Sequence, residues 1–281
     1  MALSVRGNAG ACNGGVGTMP RVRDRGSYQI SVSLWQRIDG VSNCVENPNH
    51  YSVNNTRTKR EVVGGQSLLE KTICCNVSLP FSLEELVQHM VGYQDSLITA
   101  GVAMPKLVDI RVDDGCVVVL CEDGGANLVD RYVTPERFVA APEQPVAEVV
   151  AVLKKVIDAG VSIDPHVKNF VGEAGSLLYV DMSPPLTESY VAARLSLATG
   201  DSEHQILKDN FSYFQPEFLP YHFAGDFLNV DPTAERIFPE IHSVLREQGL
   251  IEGVGLAEFA ASARGIRELE NLRLSEGIFM I

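Results

Sequence analysis

An α+β fold in two lobes is what this sequence predicts, and three observations predict it. Residues 27–122 carry mostly β-patterned segments with one helix among them. Residues 123–281 carry mostly helical periodicity. The pattern changes just after the apolar run Val117-Val118-Val119-Leu120, so a cleft between a strand-rich first lobe and a helical second lobe is expected.

The elements follow in order. Residues 1–26 are rich in Gly, Asn, Ala and Arg and lack the apolar core of a secretion signal, so they read as a disordered or loosely attached start. Ser27 to Trp35 alternates like a strand, with Trp35 as a core residue. His50–Val53 and Arg60–Val63 read as two hairpin arms around "NNTRTK". Gly64-Gly65 turns the chain into a further strand, "SLLEKTICCNV" (67–77), with Lys71 near its middle and Pro80 after its end.

Residues 82–100 form the one helix of this half. Ser82 is placed to cap it, and Glu84 and Glu85 fall in the first turn, where the helix dipole favours acids. "KLVDIRVDDGCVVVLCE" is a hairpin turning at Asp113-Asp114-Gly115. "PVAEVVAVLKKVIDAG" is helical, with Pro145 near its start and Gly160 at its stop. Further helices are expected over 187–199, 203–211, 233–248 and 256–274. The aromatic stretch "FSYFQPEFLPYHFAGDF" (211–227) is read as helix packing and loops, or as the lining of a substrate pocket.

Composition excludes some classes. The net charge of −13 argues against nonspecific nucleic-acid binding, which needs Lys and Arg on phosphates. It suits a cationic substrate or partner, or solubility alone. No apolar run reaches the roughly eighteen residues of a membrane span. Six cysteines without a C-x-x-C pair read as thiols, with Cys116 and Cys121 in the core, in a reducing cytoplasm without a disulfide framework.

The chemistry concentrates in "SIDPHVKNFVGEAGSLLYVDMSPP" (162–185). Pro165 breaks any helix between Asp164 and Asn169. A hairpin over "NFVGEAGSLLYVD" brings Asn169 and Asp181 together at its open end. An amide oxygen and a carboxylate at one hairpin end are hard-oxygen donors, suited to Mg2+ carrying a nucleotide phosphate. Asp164 then stands beside the metal pair, where it can accept a hydroxyl proton or orient that hydroxyl.

The run Asp164-Pro165-His166-Val167-Lys168-Asn169, followed by Leu177-Leu178-Tyr179-Val180-Asp181, resembles the catalytic core of the aminoglycoside phosphotransferase and choline kinase group of the protein-kinase-like fold. The resemblance implies Asp164 as the catalytic aspartate, with Asn169 and Asp181 binding magnesium and His166 bracing the loop. It further implies Lys71 as the strand lysine on the ATP phosphates, Glu85 as its helix partner (with Glu84 and Gln88 as rivals), and Glu122 at the hinge that meets adenine. The implied activity is ATP- and Mg2+-dependent transfer of a phosphoryl group to a hydroxyl of a small molecule. Ser162-Ile163 stands where that group has His-Gly, and no glycine-rich phosphate loop is evident near "HYSVNNTRTKREVV". Those departures favour, as an alternative, a kinase-like nucleotide sensor or partner-binding protein without transfer activity. A third reading is the same fold used for nucleotidyl transfer.

Overall fold

The structure, a computed structural model, describes residues 55–75, 79, 81–141, 144–173, 175–278 and 280. All of them fall in one compact unit, Ser42–Ile281. The start expected over 1–26, the strand ending at Trp35 and the arm at 50–53 lie outside the described residues.

The fold is α+β. Its sheet has four antiparallel strands: β1 (Asn55–Val63), β2 (Gln66–Cys74), β3 (Leu107–Asp113) and β4 (Cys116–Glu122), in the order β1-β2-β4-β3. β1 runs through the residues expected to form a loop at "NNTRTK", with Thr58 paired to Lys71. The polar composition that suggested a turn belongs to an edge strand, where Arg57, Lys59 and Arg60 keep an open rim soluble. The turn itself is Gly64-Gly65. Both glycines have positive φ (61° and 86°), as a two-residue hairpin loop of matching twist requires.

α1 (Leu83–Thr99) packs its Leu86, Val87, Met90, Tyr93 and Leu97 into a core shared with Ile73, Val117 and Val119 of the sheet. Burying each such side chain contributes about 1.5–3 kcal/mol, so this shared face is what holds helix to sheet.

The cysteine expectation needs correcting. Cys74 and Cys116 form a disulfide, their Cα atoms 4.5 Å apart. The register makes this natural: Ile73 opposes Val117, so the next residues on β2 and β4 face each other at the close spacing of an antiparallel pair. Sequence spacing does not reveal it, because the pairing depends on β2 lying beside β4 rather than beside β3, the strand that follows it in the chain. Cys75 and Cys121 are half-buried thiols.

The helical part begins with α2 (Leu128–Tyr132), α3 (Pro135–Ala140) and α4 (Pro145–Ala159). A short hairpin of β5 (Phe170–Val171) and β6 (Leu178–Tyr179) follows. Then come α5 (Glu188–Ser196), α6 (Asp201–Ser212), α7 (Leu219–Val230), α8 (Phe238–Glu247) and α9 (Leu256–Ser275). α7 occupies the second half of the aromatic stretch that left pocket and packing both open. It is buried at Leu219, Pro220 and every residue from His222 through Phe227, as a central helix is. Pro220 sits in its first turn, where a missing N–H costs nothing. Gly225 is where α9 comes closest: a Cβ there would stand 2.7 Å from the Ala263 carbonyl oxygen. Two residues that read as helix breakers thus start one helix and let it pack. None of the helices among the described residues is long and apolar enough to cross a membrane.

Candidate functional site

Three hydrogen bonds within the segment 162–181 and one from α1 hold it in place. Val180 N–H donates to Asn169 O at 2.9 Å, which closes the open end of the β5–β6 hairpin next to Asp181. Asn169 turns its amide nitrogen onto Asp164 O at 3.3 Å, leaving its side-chain oxygen as an acceptor. From α1, Tyr93 donates its hydroxyl to Ser162 O at 3.0 Å. From β6, the Tyr179 hydroxyl accepts Asp164 N–H at 3.3 Å. Burial pushes both phenols well above their usual range, and the charges of Asp164 and Asp181 push them further. They are neutral struts.

His166 is the hub. Its Nδ1 hydrogen-bonds Asp164 Oδ1, which also accepts the His166 backbone N–H at 3.2 Å. Its Nε2 lies 3.5 Å from Asp226 Oδ1 and 3.4 Å from Glu270 Oε1. Asp226, on α7, uses its other oxygen to accept Val167 N–H at 2.7 Å. Glu270, on α9, also accepts from His222 Nε2 at 2.8 Å. Burial opposes a charge on His166, but Asp164, Asp226 and Glu270 together hold its pKa well above the usual 6.5, so the ring is an imidazolium at neutral pH. Burial would likewise raise Asp164, yet the His166 charge and hydrogen bond, helped by His222 and Lys168, bring it down to about 2. Glu270 is held well below the ordinary carboxylate range: burial is outweighed by His222 and His166.

Asp164, His166 and His222 are donor types a transition metal uses, with ligand atoms within 4.8 Å of one another. Their hydrogen bonding points elsewhere. His166 faces Asp164 with one nitrogen and two carboxylates with the other, and His222 faces Glu270 and, at 3.3 Å, Tyr213 O. Neither ring has a nitrogen left to aim at a common centre. Protons link this cluster.

Asp181 points the other way. Its Oδ1 accepts from Lys71 Nζ at 2.7 Å, a contact spanning 110 residues of sequence, and from Ser183 N–H at 3.4 Å. Both side chains are mostly buried, 22% and 12% exposed, so water screens the pair only partly. Asp181 Oδ2 has no protein partner among the described residues, and it and the Asn169 side-chain oxygen are hard-oxygen donor types that could hold a magnesium ion.

The sequence thus points to six site residues, and the structure brings four together: Asp164, Asn169, Asp181 and Lys71. Glu85 is not among them, and the pairing expected of it is not made. Its carboxylate accepts Ser82 N–H at 2.7 Å while Ser82 Oγ accepts Glu85 N–H at 3.2 Å, a capping box that holds it at the exposed start of α1. Its rivals Glu84 and Gln88 are exposed as well. The buried face of α1 offers Tyr93 and Gln94 as its polar groups. Glu122 ends β4; its N–H donates to Lys106 O at 3.0 Å and its carboxylate accepts from Gln66 Nε2 at 2.9 Å.

Tyr93, Tyr179, His222, Asp226 and Glu270 were not singled out as site residues. Tyr93 had a usable signal, since it follows Leu86 and Met90 on the buried stripe of α1. Tyr179 lies on the apolar strand that ends at Asp181, where it reads as core. His222, Asp226 and Glu270 had no signal, because nothing local to α7 or α9 marks a side chain for a loop so far away in sequence. No protein-family model matches the chain, and no curated protein matches it in sequence.

Proposed function

We propose that the chain is a phosphotransferase of the two-lobed, protein-kinase-like kind, moving the γ-phosphoryl group of Mg·ATP to a hydroxyl of a small molecule. The observation that carries this reading is the Lys71–Asp181 contact at 2.7 Å. A strand lysine and the carboxylate at the end of the 170–181 hairpin meet at one point, with Asp164 and Asn169 on the same loop. Phosphoryl transfer needs that set of charges in one place.

The residues divide the work. Asn169 and Asp181 would hold magnesium, which supplies positive charge to the phosphate oxygens. Lys71 would move from Asp181 alone to sharing its charge with the α- and β-phosphates. Asp164, with its pKa near 2, is a carboxylate at any physiological pH and a weak base. Its role is to accept a hydrogen bond from the acceptor hydroxyl and aim that oxygen at the γ-phosphorus. The acceptor O–P bond would form as the bond to the β,γ-bridging oxygen breaks, ADP would leave with that electron pair, and the hydroxyl proton would pass to solvent as the new ester forms. The rate comes from positioning and charge stabilisation. A cationic hydroxyl compound is the first acceptor to try, given the net charge of −13.

The test is incubation of the wild type and Asp164→Asn with Mg·ATP and a panel of hydroxyl acceptors, cationic ones first, following ADP and pyrophosphate separately. Acceptor-dependent ADP release, lost in Asp164→Asn, is expected. Pyrophosphate release in its place would reassign the chain to nucleotidyl transfer.

A second reading has its own support. With Glu85 capping α1 and no carboxylate among that helix's buried residues, Lys71 lacks the partner a transfer-competent member of the group would give it. A nucleotide-binding protein without turnover fits that feature. It would bind Mg·ATP and release no ADP with any acceptor.

A further inference from the structure

The geometry points to Glu270 of α9 as a positioning residue for Asp164, acting through His166. The word positioning rests on the phosphotransferase reading; the lock itself does not. Asp164 Oδ1 takes both the backbone N–H and the Nδ1 of His166, while Oδ2 has no partner among the described residues. The direction of the His166 ring therefore decides where Oδ2, the oxygen left for an acceptor hydroxyl, points.

Two carboxylates aim that ring. Asp226 is already committed: its Oδ2 holds Val167 N–H at 2.7 Å and its Oδ1 accepts from Asn229 at 2.9 Å. Glu270 is the one that fixes the ring from outside the loop and α7. Its Oε1 stands 3.4 Å from His166 Nε2 and accepts His222 Nε2 at 2.8 Å, while its Oε2 accepts Arg267 Nη1 at 3.3 Å. The His166 and His222 rings meet edge to face, 5.1 Å between centroids, so His222 closes the remaining side. A carboxylate this buried, 6% exposed, is costly unless its bonds are complete. Here they are complete, and they run from α9 to the catalytic loop. Geometry held this way is worth a large rate factor, since even about an ångström of misplacement can cost around a hundredfold.

The experiment compares wild type, Glu270→Gln and Glu268→Gln. Glu268 is an exposed acid on the same helix and serves as the charge control. In the ligand-free, 15N-histidine-labelled chain, the His166 Nδ1–H proton bonded to Asp164 should give a slowly exchanging downfield resonance, assigned by its loss in His166→Asn. Glu270→Gln should shift or broaden it and Glu268→Gln should leave it in place. With Mg·ATP and a hydroxyl acceptor that supports ADP release, Glu270→Gln should lower kcat by about tenfold or more with KM for ATP within about twofold. A resonance missing from wild type, or unchanged in Glu270→Gln, overturns the lock. A wild type that shows the resonance and releases no ADP from Mg·ATP with any hydroxyl acceptor of the panel overturns the phosphotransferase reading and leaves the lock standing. If Glu270→Gln fails to fold, Glu270→Asp, which keeps the charge and withdraws the oxygen, is read in the same way.

Discussion

The two sides of the candidate site are built differently. The loop side, 162–169, is over-determined: His166 touches three carboxylates, Val167 is pinned to α7, and two tyrosines reach in from α1 and β6. The sheet side depends on one contact, Lys71 to Asp181. Glu85 and Glu122 are spent on local bonds with Ser82 and Gln66. A loop that carries reacting groups needs fixed geometry whether or not a ligand is bound. A phosphate clamp can be completed by the ligand itself. The difference teaches that stability and ligand binding are separable here: changes on the loop side should unfold the chain, and changes on the sheet side should empty the site.

The largest effect should come from the hub. His166→Asn strips two buried carboxylates, Asp226 and Glu270, and the half-buried Asp164 of their shared cation, and breaking such a buried pair costs about 3–5 kcal/mol. Urea unfolding measures it, and a loss below about 1 kcal/mol would break the contrast between the two sides.

Next is Gly225→Ala. Its Cβ would be driven to 2.7 Å from Ala263 O, forcing α7 away from α9 at a cost of about 1–3 kcal/mol. An unchanged melting temperature would mean the helices part freely.

The pH dependence sharpens the same comparison. Asp164 and Glu270 have lowered pKa values in the fold, so their contribution is complete above the ordinary carboxylate range and is lost as pH falls, for Asp164 from about 3.8 towards about 2. For Asp164 that contribution is on the order of 2 kcal/mol. His166 is raised, so its contribution is complete below its ordinary 6.5 and is lost as pH climbs from there through the raised value. Stability followed by denaturant melts should therefore peak between these two slopes, and Glu270→Gln should flatten both.

The smallest stability effects belong to the sheet side. Lys71→Met removes one part-buried ion pair and should cost about 1 kcal/mol. Glu85→Gln loses the charge but keeps an acceptor in the capping box, for about 0.5 kcal/mol or less. Only the first should change Mg·ATP binding.

These two sides also differ in how far the sequence revealed them. Asp164, His166 and Asn169 were legible because their mutual contacts lie within five residues, so spacing alone constrains them. The hairpin ending at Asp181 was legible for the same reason: an apolar strand must pair with the segment just before it. Lys71 came through resemblance and not through spacing. Glu85 misled because a helix's first turn gives an acid a local use, and that use wins. Glu270, His222 and Asp226 were illegible because their partners lie on other elements, as did the disulfide partner of Cys74. At "NNTRTK" the composition of an edge strand passed for that of a turn.

The most direct measurement is calorimetric titration of ATP, with and without magnesium, into the wild type and Asp181→Ala. Saturable binding that needs magnesium and disappears in Asp181→Ala, with the variant's fold intact by circular dichroism, is the expected result. Wild type that binds neither ATP nor GTP in the presence of magnesium would contradict the nucleotide site built on Lys71, Asn169 and Asp181.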